Sequence, residues 1–550
     1  MPPIKIDIQT IVIKYYKGLL FDLQDSIISV RQLFERRFIV FTSIGGPMIL
    51  EQLLEGLETA AVTGPDTALQ TDISDVVYDS RKAVEGTLFV CMVGAETDGH
   101  RYARNAYDAG CRVFVLEAGH ESTAGLGSLP EQPYIIVVEN TRVALAKLSD
   151  TFFGHPSGDL KVIGITGTKG KTSITYILQA VLDRAGIPTG LIGTAGASWN
   201  GKQVPTVNTT PESYETQKLL RQMADDGVKA VAIEVSSLGV KWHRTDFLEF
   251  FCGIFTNISP DHIGGHEHKT YEEYYSFKKA FFSLCNQAAA CGDDPAAADM
   301  LEAVPGRKIF YGLSEHNEFR AENMVPTRSD DFMGIRFDFL RNGVREDTFE
   351  ISLPGDFSVH NALAVLAVCD LMGLDLEQAK EGLRTVRVPG RCQIKYLSKE
   401  FGIIIDYAHN DISLEGIIRT VRAYGPKRII TLFGSVGDRA QLRREELGTT
   451  SGRLADFTVI TEDDPGFEDP KKIADEIAVF VEKAGGAGKY VVIPDREEAV
   501  AYAVAMLEPG DFLLCCGKGH ERFMKVRGKK EPFNEERCIE EALKKRGIEL

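Results

Sequence analysis

The sequence predicts an α/β protein of three domains, each built on a largely parallel sheet. Three observations predict it. Short runs that are apolar on both faces recur along the chain, the signature of strands covered on two sides. Helical stretches separate these runs, as crossover connections require. Two Pro/Gly-containing breaks, GHPSGDL (154–160) and VRVPGRCQ (386–393), divide the elements into three groups. A chain of 550 residues suits three or four domains at about 150 residues each.

Residues 1–47 are apolar with scattered charges (Lys14, Lys17, Asp22, Asp25, Arg31, Arg36, Arg37). They lack the charged start, unbroken apolar stretch and small-residue cleavage site of a signal peptide. They are expected to be an extension outside the fold, with a misplaced start codon as one explanation. A helix, MILEQLLEGLETA, is expected from Met48. In 48–155, LFVCMV (88–93) and VFVLE (113–117) read as buried strands, and HRYARNAYDAG between them as an amphipathic helix closed by a glycine. GHPSGDL reads as a linker. In 156–386, KVIGIT, KAVAIEV and CGIFTNI read as parallel strands. In 387–550, GIIIDYA, RIITLFG, DFTVIT, KYVVIP and DFLLCC are five more buried strands.

Composition excludes several classes of function. The net charge is −17, which argues against a general nucleic-acid binder, since such proteins need a basic surface. It leaves room for an anionic ligand held by local cations and backbone amides. No run is long and apolar enough to span a bilayer. The ten cysteines form no CxxC pair, so they read as free thiols in a reducing cytoplasm rather than a disulfide framework or zinc site.

The strongest local signal is KVIGITGTKGKTSITYILQAVLDRAG. An apolar strand runs into Gly167, Thr168, Lys169, Gly170, Lys171, Thr172 and Ser173, then into a helix with an apolar face. Glycines let backbone N–H groups turn around phosphate oxygens, and the helix N-terminus adds partial positive charge. Lys171 reaches outer phosphates, and the Thr172 hydroxyl suits Mg²⁺. Against the usual GxxxxGK[ST] spacing, Gly164 lies one residue too far away unless the shorter GTKGKT is the unit.

The GTKGKTS form resembles the Mur ligase family. Further blocks in the same order carry the resemblance: NTTPE (208–212), EVSS (234–237), FTNISPDHIG (255–264), YYSFKKAFF (274–282), GDFSVHNALAVLA (355–367), VPGR (388–391), DYAHN (406–410), FGSVGDR (433–439) and GKGHE (517–521). DSRK (79–82) and DGH (98–100) resemble the N-terminal domain of the MurE type. The resemblance spans 48–550. It implies an ATP-dependent acid–amino-acid ligase that adds the third amino acid to UDP-N-acetylmuramoyl-L-alanyl-D-glutamate in peptidoglycan synthesis. ATP phosphorylates a carboxylate and the incoming amine attacks the acyl phosphate. It also implies a uridine-nucleotide domain at 48–155, a P-loop ATPase domain at 156–386 and a Rossmann-like amino-acid-binding domain at 387–550. The partners are then small molecules, with no nucleic acid and no membrane span, and the chain is expected to be a monomer.

The resemblance assigns roles residue by residue. Activating a carboxylate beside the γ-phosphate requires cations to offset repulsion. Lys171, Glu234, His262 and Lys278 form the implied catalytic set. Thr172, Glu234 and His262 suit Mg²⁺, because strand C-termini present ligands in an open α/β sheet. Lys278 is implied to be carbamylated, with the adjacent Lys279 as the alternative; a carbamate would turn a cation into a metal-bridging anion. Asn361 resembles the adenine contact, and Arg391 and Asp406 nucleotide contacts from the next domain. Thr209, Thr210, Ser236 and Arg244 resemble the residues that hold the muramoyl dipeptide. Ser80 and the Asp98–Gly99–His100 turn resemble the uridine-side contacts. Departures from the family pattern stand at Leu238, Trp242, Ser358 and Gln393.

The added amino acid is read from TEDDPGFEDP (461–470). Diaminopimelate-adding members typically show Asp-Asn-Pro-Arg where this chain has Asp463, Asp464, Pro465 and Gly466. A bidentate arginine–carboxylate pair cannot be replaced by glycine, and the extra anion favours a distal ammonium. The DHIGxxEH form (Asp261 to His268) also resembles lysine-adding members. L-Lysine is therefore favoured over meso-diaminopimelate, with L-ornithine close behind. Arg439, Gly517 and Glu521 are expected to grip the amino acid's own carboxylate and amine. Arg443 or Arg444, if it reached the pocket, would undermine this preference. The rival readings are a folylpolyglutamate-synthase-like ligase, which the DSRK and DGH domain opposes, a family paralogue acting on another substrate, and a nucleotide-gated binding protein without turnover.

Overall fold

Three sheets, stacked along the chain, carry the structure. The computed structural model describes residues 46–549 except 95–96, 128, 261–262, 265–266 and 439–440. Most of the expected N-terminal extension therefore lies outside the described residues. The helix expected from Met48 is short: Met48–Ile49 pairs with Asp72–Ile73 as strand, and only Leu50–Leu53 is α-helical.

The N-terminal sheet has five strands: β1 (Ala61–Thr63), β2 (Asp75–Val77), β3 (Thr87–Val90), β4 (Val113–Glu117) and β5 (Tyr134–Val138), in the order β1-β5-β4-β3-β2. All neighbours are parallel except β1 and β5. The expected helix between β3 and β4 divides into a 3₁₀ turn, Gly99–Tyr102, and α1 (Ala103–Asp108). The division has a cause, since the Asp98 carboxylate accepts the His100 N–H and caps a tight turn there. Helix α2 (Thr141–Phe152) starts where Asn140 accepts from the Arg142 and Val143 N–H groups. GHPSGDL is not a free linker: Pro156–Asp159 forms a 3₁₀ turn with Pro156, Ser157 and Leu160 buried.

The central sheet has eleven strands. In chain order its elements are β6 (Lys161–Thr166), α3 (Lys171–Arg184), β7 (Thr189–Gly193), β8 (Gly196–Trp199), β9 (Lys202–Val204), α4 (Ser213–Asp225), β10 (Ala230–Glu234), β11 (Phe250–Phe255), α5 (Tyr271–Phe281), β12 (Ala288–Cys291), β13 (Lys308–Gly312), β14 (Phe319–Arg328), β15 (Met333–Arg341), β16 (Val344–Ile351), α6 (Asp356–Leu371) and α7 (Ala379–Thr385). The order is β9-β8-β7-β10-β6-β11-β12-β13-β14-β15-β16. From β7 to β14 all neighbours are parallel; β8–β9 and β15–β16 extend the sheet antiparallel at its two ends. Apolar cores cover both faces. The β14–β16 meander was not expected from continuous apolar runs. FRAENMVPTR, MGIRFDFLR and VREDTFEI instead interleave apolar and charged residues, as strands with a wet face do.

The C-terminal elements are β17 (Gln393–Leu397), β18 (Gly402–Asp406), α8 (Asp411–Arg422), β19 (Arg428–Phe433), α9 (Gln441–Leu454), β20 (Phe457–Ile460), α10 (Pro470–Val481), β21 (Tyr490–Val492), α11 (Arg496–Ala505), β22 (Asp511–Cys516) and α12 (Glu535–Lys545). Their sheet runs β17-β18-β22-β19-β20-β21, with only β17 antiparallel. All five expected strands are present, and β21 is a half-buried edge.

Side chains join the sheets. The Tyr214 hydroxyl donates to Asp75 and the Tyr78 hydroxyl to Glu215, both at 2.7 Å. Met333 packs into the C-terminal core, Tyr424 donates to the Gly334 carbonyl at 2.8 Å, and Arg328 lies over Phe512. Among the described residues no helix is long and apolar enough to cross a membrane, and all ten cysteines are buried and free.

Gly164 resolves the spacing question. It lies within β6, paired to Ile233 and Gly253, and a Cβ there would overlap the rings of Phe281 and Phe250. It is a packing glycine, and GTKGKT is the loop. Gly164→Ala is therefore expected to destabilise the central domain by about 1–3 kcal/mol through overpacking, read as a fall of a few degrees in Tm. Gly164→Ala combined with Phe281→Leu should recover part of that loss.

Candidate active site

The phosphate-type loop is built between two strands and a helix. At Gly167 φ is +143°, a conformation L side chains avoid, and a Cβ would overlap the Thr256 hydroxyl. The segment after β11 braces the loop from one side. Thr168 N donates to the Asn257 carbonyl at 2.8 Å, Lys169 N to Asn257 Oδ1 at 3.0 Å, and Thr256 Oγ1 to the Lys169 carbonyl at 2.7 Å. The Thr168 hydroxyl lies 3.0 Å from the Tyr274 hydroxyl and accepts from Ser259 N. Ser173 sits half-buried in the first turn of α3. Asn361, on α6, is buried with its side-chain oxygen against Gly170. Next to it, His360 Nε2 lies 3.0 Å from Asp293. Burial alone would raise the Asp293 pKa, but hydrogen bonds from Ser314, Leu313 and His360 outweigh it and hold the carboxyl well below the usual range.

Two lysines converge on this loop. Lys171 Nζ donates to the Gly167 carbonyl at 2.8 Å and the Thr168 carbonyl at 3.1 Å. Lys278, on α5 and only 2% exposed, donates to the same Gly167 carbonyl at 2.9 Å and lies over the Tyr274 ring. Lys279 points elsewhere, to Asp299 and Glu302, so of the two adjacent lysines it is Lys278 that reaches the loop.

Glu234 ends β10, buried. Its Oε1 accepts from Thr172 Oγ1 at 2.9 Å and Thr194 N at 3.0 Å, and its Oε2 from Thr194 Oγ1 at 3.1 Å. A carboxylate and a hydroxyl therefore meet at the start of α3, a hard-oxygen donor set of the type Mg²⁺ prefers. Thr210 Oγ1 donates to the Glu234 carbonyl and lies 3.0 Å from Ser236 Oγ, which caps the short helix Ser237–Lys241. Thr209 pairs with Thr194 through hydroxyls at 3.0 Å. Arg244 donates to the Thr210 carbonyl and pairs with Glu212 at 2.7 Å. Arg142, from α2, also reaches Glu212 and lies over Trp242, 4.5 Å from the ring centroid. Trp242, one of the departures from the family pattern, is thus the platform for an arginine from the N-terminal domain. Nothing in local spacing marks Arg142, because its partner is 70 residues away.

In the N-terminal domain Ser80 opens a half-exposed 3₁₀ turn capped by Asp79. His100 differs from its expected role. Its ring is fully buried, Nε2 accepts from Glu117 N at 2.9 Å, and Nδ1 therefore carries the proton given to Asp98 at 2.6 Å. The ring holds the Asp98–Gly99–His100 turn together and has no nitrogen left for a ligand.

The third-domain residues form a cluster at the C-terminal ends of β18, β20 and β22. Asp406 accepts from the Cys392 and Ala408 N–H groups, and burial raises its pKa. Arg391 lies over the Tyr407 ring at 4.8 Å. Burial lowers the pKa of His409 and of His520, favouring neutral imidazoles. Gly517 (φ +103°) packs against Asp463 where a side chain would collide. Burial raises the Asp463 pKa. Lys518, 0% exposed, donates to Asp464 at 2.8 Å and Glu521 at 2.7 Å, and lies 3.6 Å from Asp463.

Lys518 corrects the acidic-pocket expectation. Asp464 was to supply an unpaired anion for a distal ammonium, but a buried lysine already neutralises it. The lysine stands in the quoted GKGHE block, yet only folding brings it across from Asp464, 54 residues away in sequence. Arg444 is likewise engaged, with Glu468 and Glu476. His262 and Arg439 lie outside the described residues.

Three family models match the chain: the Mur ligase middle domain over 165–369, the Mur ligase glutamate ligase domain over 390–519, and the Mur ligase family catalytic domain over 72–153. A Clostridium botulinum protein named UDP-N-acetylmuramoyl-L-alanyl-D-glutamate–2,6-diaminopimelate ligase is 37% identical, covering 86% of this chain and 95% of its own length. A Caldanaerobacter subterraneus protein of the same name is 35% identical, covering 90% and 99%. A solved structure titled with that name superposes with a TM-score of 0.67 at 22% identity, covering 91% of this chain and 100% of its own.

The Lys518 cluster makes a pH-dependent prediction. Burial pushes the Asp464 pKa up, but Lys518 and the Lys525 N–H pull it below its ordinary value. A depressed carboxylate pKa contributes stability above the unfolded-state pKa of about 4 and loses it as pH falls through the folded value. Lys518→Met is expected to cost about 3–5 kcal/mol at pH 7, since it strands buried carboxylates. The deficit in Tm should narrow as the pH is lowered below about 4, as measured by unfolding across a pH series.

Proposed function

The chain belongs to the Mur ligase family, and we propose that within it the protein adds the third amino acid to UDP-N-acetylmuramoyl-L-alanyl-D-glutamate, with 2,6-diaminopimelate as the amino acid. It is an ATP-dependent acid–amino-acid ligase. The observation that carries the reading is the meeting of three groups at the start of α3: the Gly167–Thr172 loop, the Glu234–Thr172 pair and the buried Lys278. The third residue is read as diaminopimelate for two reasons. The relatives bear that substrate in their names, and Lys518 removes the unpaired anion on which the L-lysine preference rested.

In this reading, residues 48–155 hold the uridine nucleotide, 156–386 ATP and the reacting carboxylate, and 387–550 the amino acid. The ten free thiols suit a reducing cytoplasm. Loop amides and the α3 N-terminus receive the phosphates, and Lys171 approaches the γ-phosphoryl group. Asn361, Arg391 and Asp406 contact the nucleoside. Thr209, Thr210, Ser236 and Arg244 hold the dipeptide carboxylate, which attacks Pγ as the bond from Pγ to the ADP oxygen breaks. The amine then attacks the acyl carbon, phosphate departs with its oxygen, and the ammonium's proton is released. Thr172 and Glu234 would hold Mg²⁺, with His262 the third ligand implied by resemblance. When bound, the ion neutralises phosphate charge.

Lys278 is the lysine whose carbamylation the family resemblance implies, and it reaches the Gly167 carbonyl beside Lys171. A carbamate there would turn a cation into an anionic metal ligand.

Purified protein with ATP, Mg²⁺ and UDP-N-acetylmuramoyl-L-alanyl-D-glutamate should release phosphate on addition of 2,6-diaminopimelate, and chelation of Mg²⁺ should abolish release. Silence with every amino acid, from folded protein, refutes the reading. Lys278→Met and Glu234→Gln are each expected to lower kcat by about 10²–10³-fold, the scale for removing one preorganised electrostatic group, with Tm little changed for Glu234→Gln.

A further inference from the structure

We propose that Arg443 is the residue that receives the distal carboxylate of a dicarboxylic diamino acid, and so sets which amino acid is added. This rests on the ligase reading above. A second carboxylate on the substrate needs a cation with no acidic partner of its own, because a cation already paired gives little net attraction.

Elimination among the described buried and half-buried cations of the third-domain cluster leaves Arg443. Lys518 is bound to Asp464 and Glu521. Arg444 is bound to Glu468 and Glu476. Arg496 is fully buried against Glu535. Arg391 lies over the Tyr407 ring, on the nucleotide side of the reading. Arg443 is half-buried and makes no ion pair among the described residues.

Its place in the fold aims it at the site. Arg443 lies in the first turn of α9, which follows β19 at the C-terminal edge of the sheet. Positions 443, 447 and 450 share one stripe of that helix, and Leu447 and Thr450 are buried against the domain. Arg443 therefore continues a buried stripe to the C-terminal edge of the sheet, where the segment before α9 meets residues 464–467: Gly437 N donates to the Asp464 carbonyl at 3.0 Å and Phe467 N to Asp438 Oδ2 at 2.9 Å. Burial lowers the His409 pKa, and the charge of Arg443 lowers it further. The first turn of α9 adds the partial positive charge of a helix N-terminus. A diamino dicarboxylic acid would then find a cation for its far carboxylate beside the Lys518 cluster. Arg443 thus does for this chain what an arginine at position 466 would do, a position that Gly466 leaves without a side chain.

The test compares kcat/KM for 2,6-diaminopimelate with that for L-lysine, which lacks the second carboxylate. Wild type, Arg443→Met and Arg443→Lys are assayed by phosphate release in the presence of ATP, Mg²⁺ and the UDP-dipeptide. Wild type should prefer diaminopimelate. The preference should fall by about 10–100-fold in Arg443→Met, as expected for loss of a charge-assisted pair, chiefly through KM, and by less in Arg443→Lys. If Arg443→Met loses its cooperative unfolding transition, Arg443→Gln is read in its place. A ratio within about twofold of wild type in a folded variant overturns the proposal and leaves the ligase reading intact. Equal use of both amino acids by wild type does the same. A wild type that releases phosphate with no amine overturns the ligase reading, and this proposal with it.

Discussion

Two ammonium groups, those of Lys171 and Lys278, donate to a single carbonyl oxygen, that of Gly167. This convergence is the constraint on which the rest of the central domain depends. Holding two cations there requires α3 and α5 to be fixed against β6 from opposite sides. The Gly164 contact with Phe250 and Phe281 and the brace from Thr256, Asn257 and Ser259 accomplish this. Cations brought together at a loop of backbone amides favour an anion bound there. In the proposed reading this loop receives phosphate, and Glu234 with Thr172 would hold the adjoining cation.

The same principle, with the signs reversed, shapes the third domain. Asp463, Asp464 and Glu521 gather around one buried lysine, and Arg496 closes on Glu535 behind them. Pairing of this kind consumes charge that a motif taken alone would count as available. The acidic pair at 463–464 is legible as an acidic pair, yet Lys518 already pairs with Asp464. His100 teaches the same lesson in the first domain, since a histidine in a ligand-like turn is fully occupied in holding that turn.

The three sheets meet through polar contacts between long-separated residues. Tyr78 with Glu215, Tyr214 with Asp75, and Arg142 with Glu212 join the first two domains beside the residues that read as the dipeptide site. Met333 and Arg328 carry the meander into the third domain. The central domain is thus the hub on which its neighbours are mounted. Contacts of this size are compatible with domain movement during a catalytic cycle.

The sequence by itself determined the fold class, the strands that are apolar on both faces, a glycine-rich phosphate-type loop before α3 and the family to which nine ordered blocks point. These features are local, because buried parallel strands and phosphate loops write their requirements into adjacent residues. It did not disclose the β14–β16 meander, whose wet face leaves no continuous apolar run, or the split of the 99–108 segment at Asp98. Tertiary structure alone decided which lysine reaches the Gly167 carbonyl, that Trp242 supports Arg142, and that Asp464 pairs with Lys518 while, among the described residues, Arg443 makes no ion pair. The reason is physical: the charge a site presents is the sum over groups that only folding brings within hydrogen-bond distance, and no spacing along the chain records that sum.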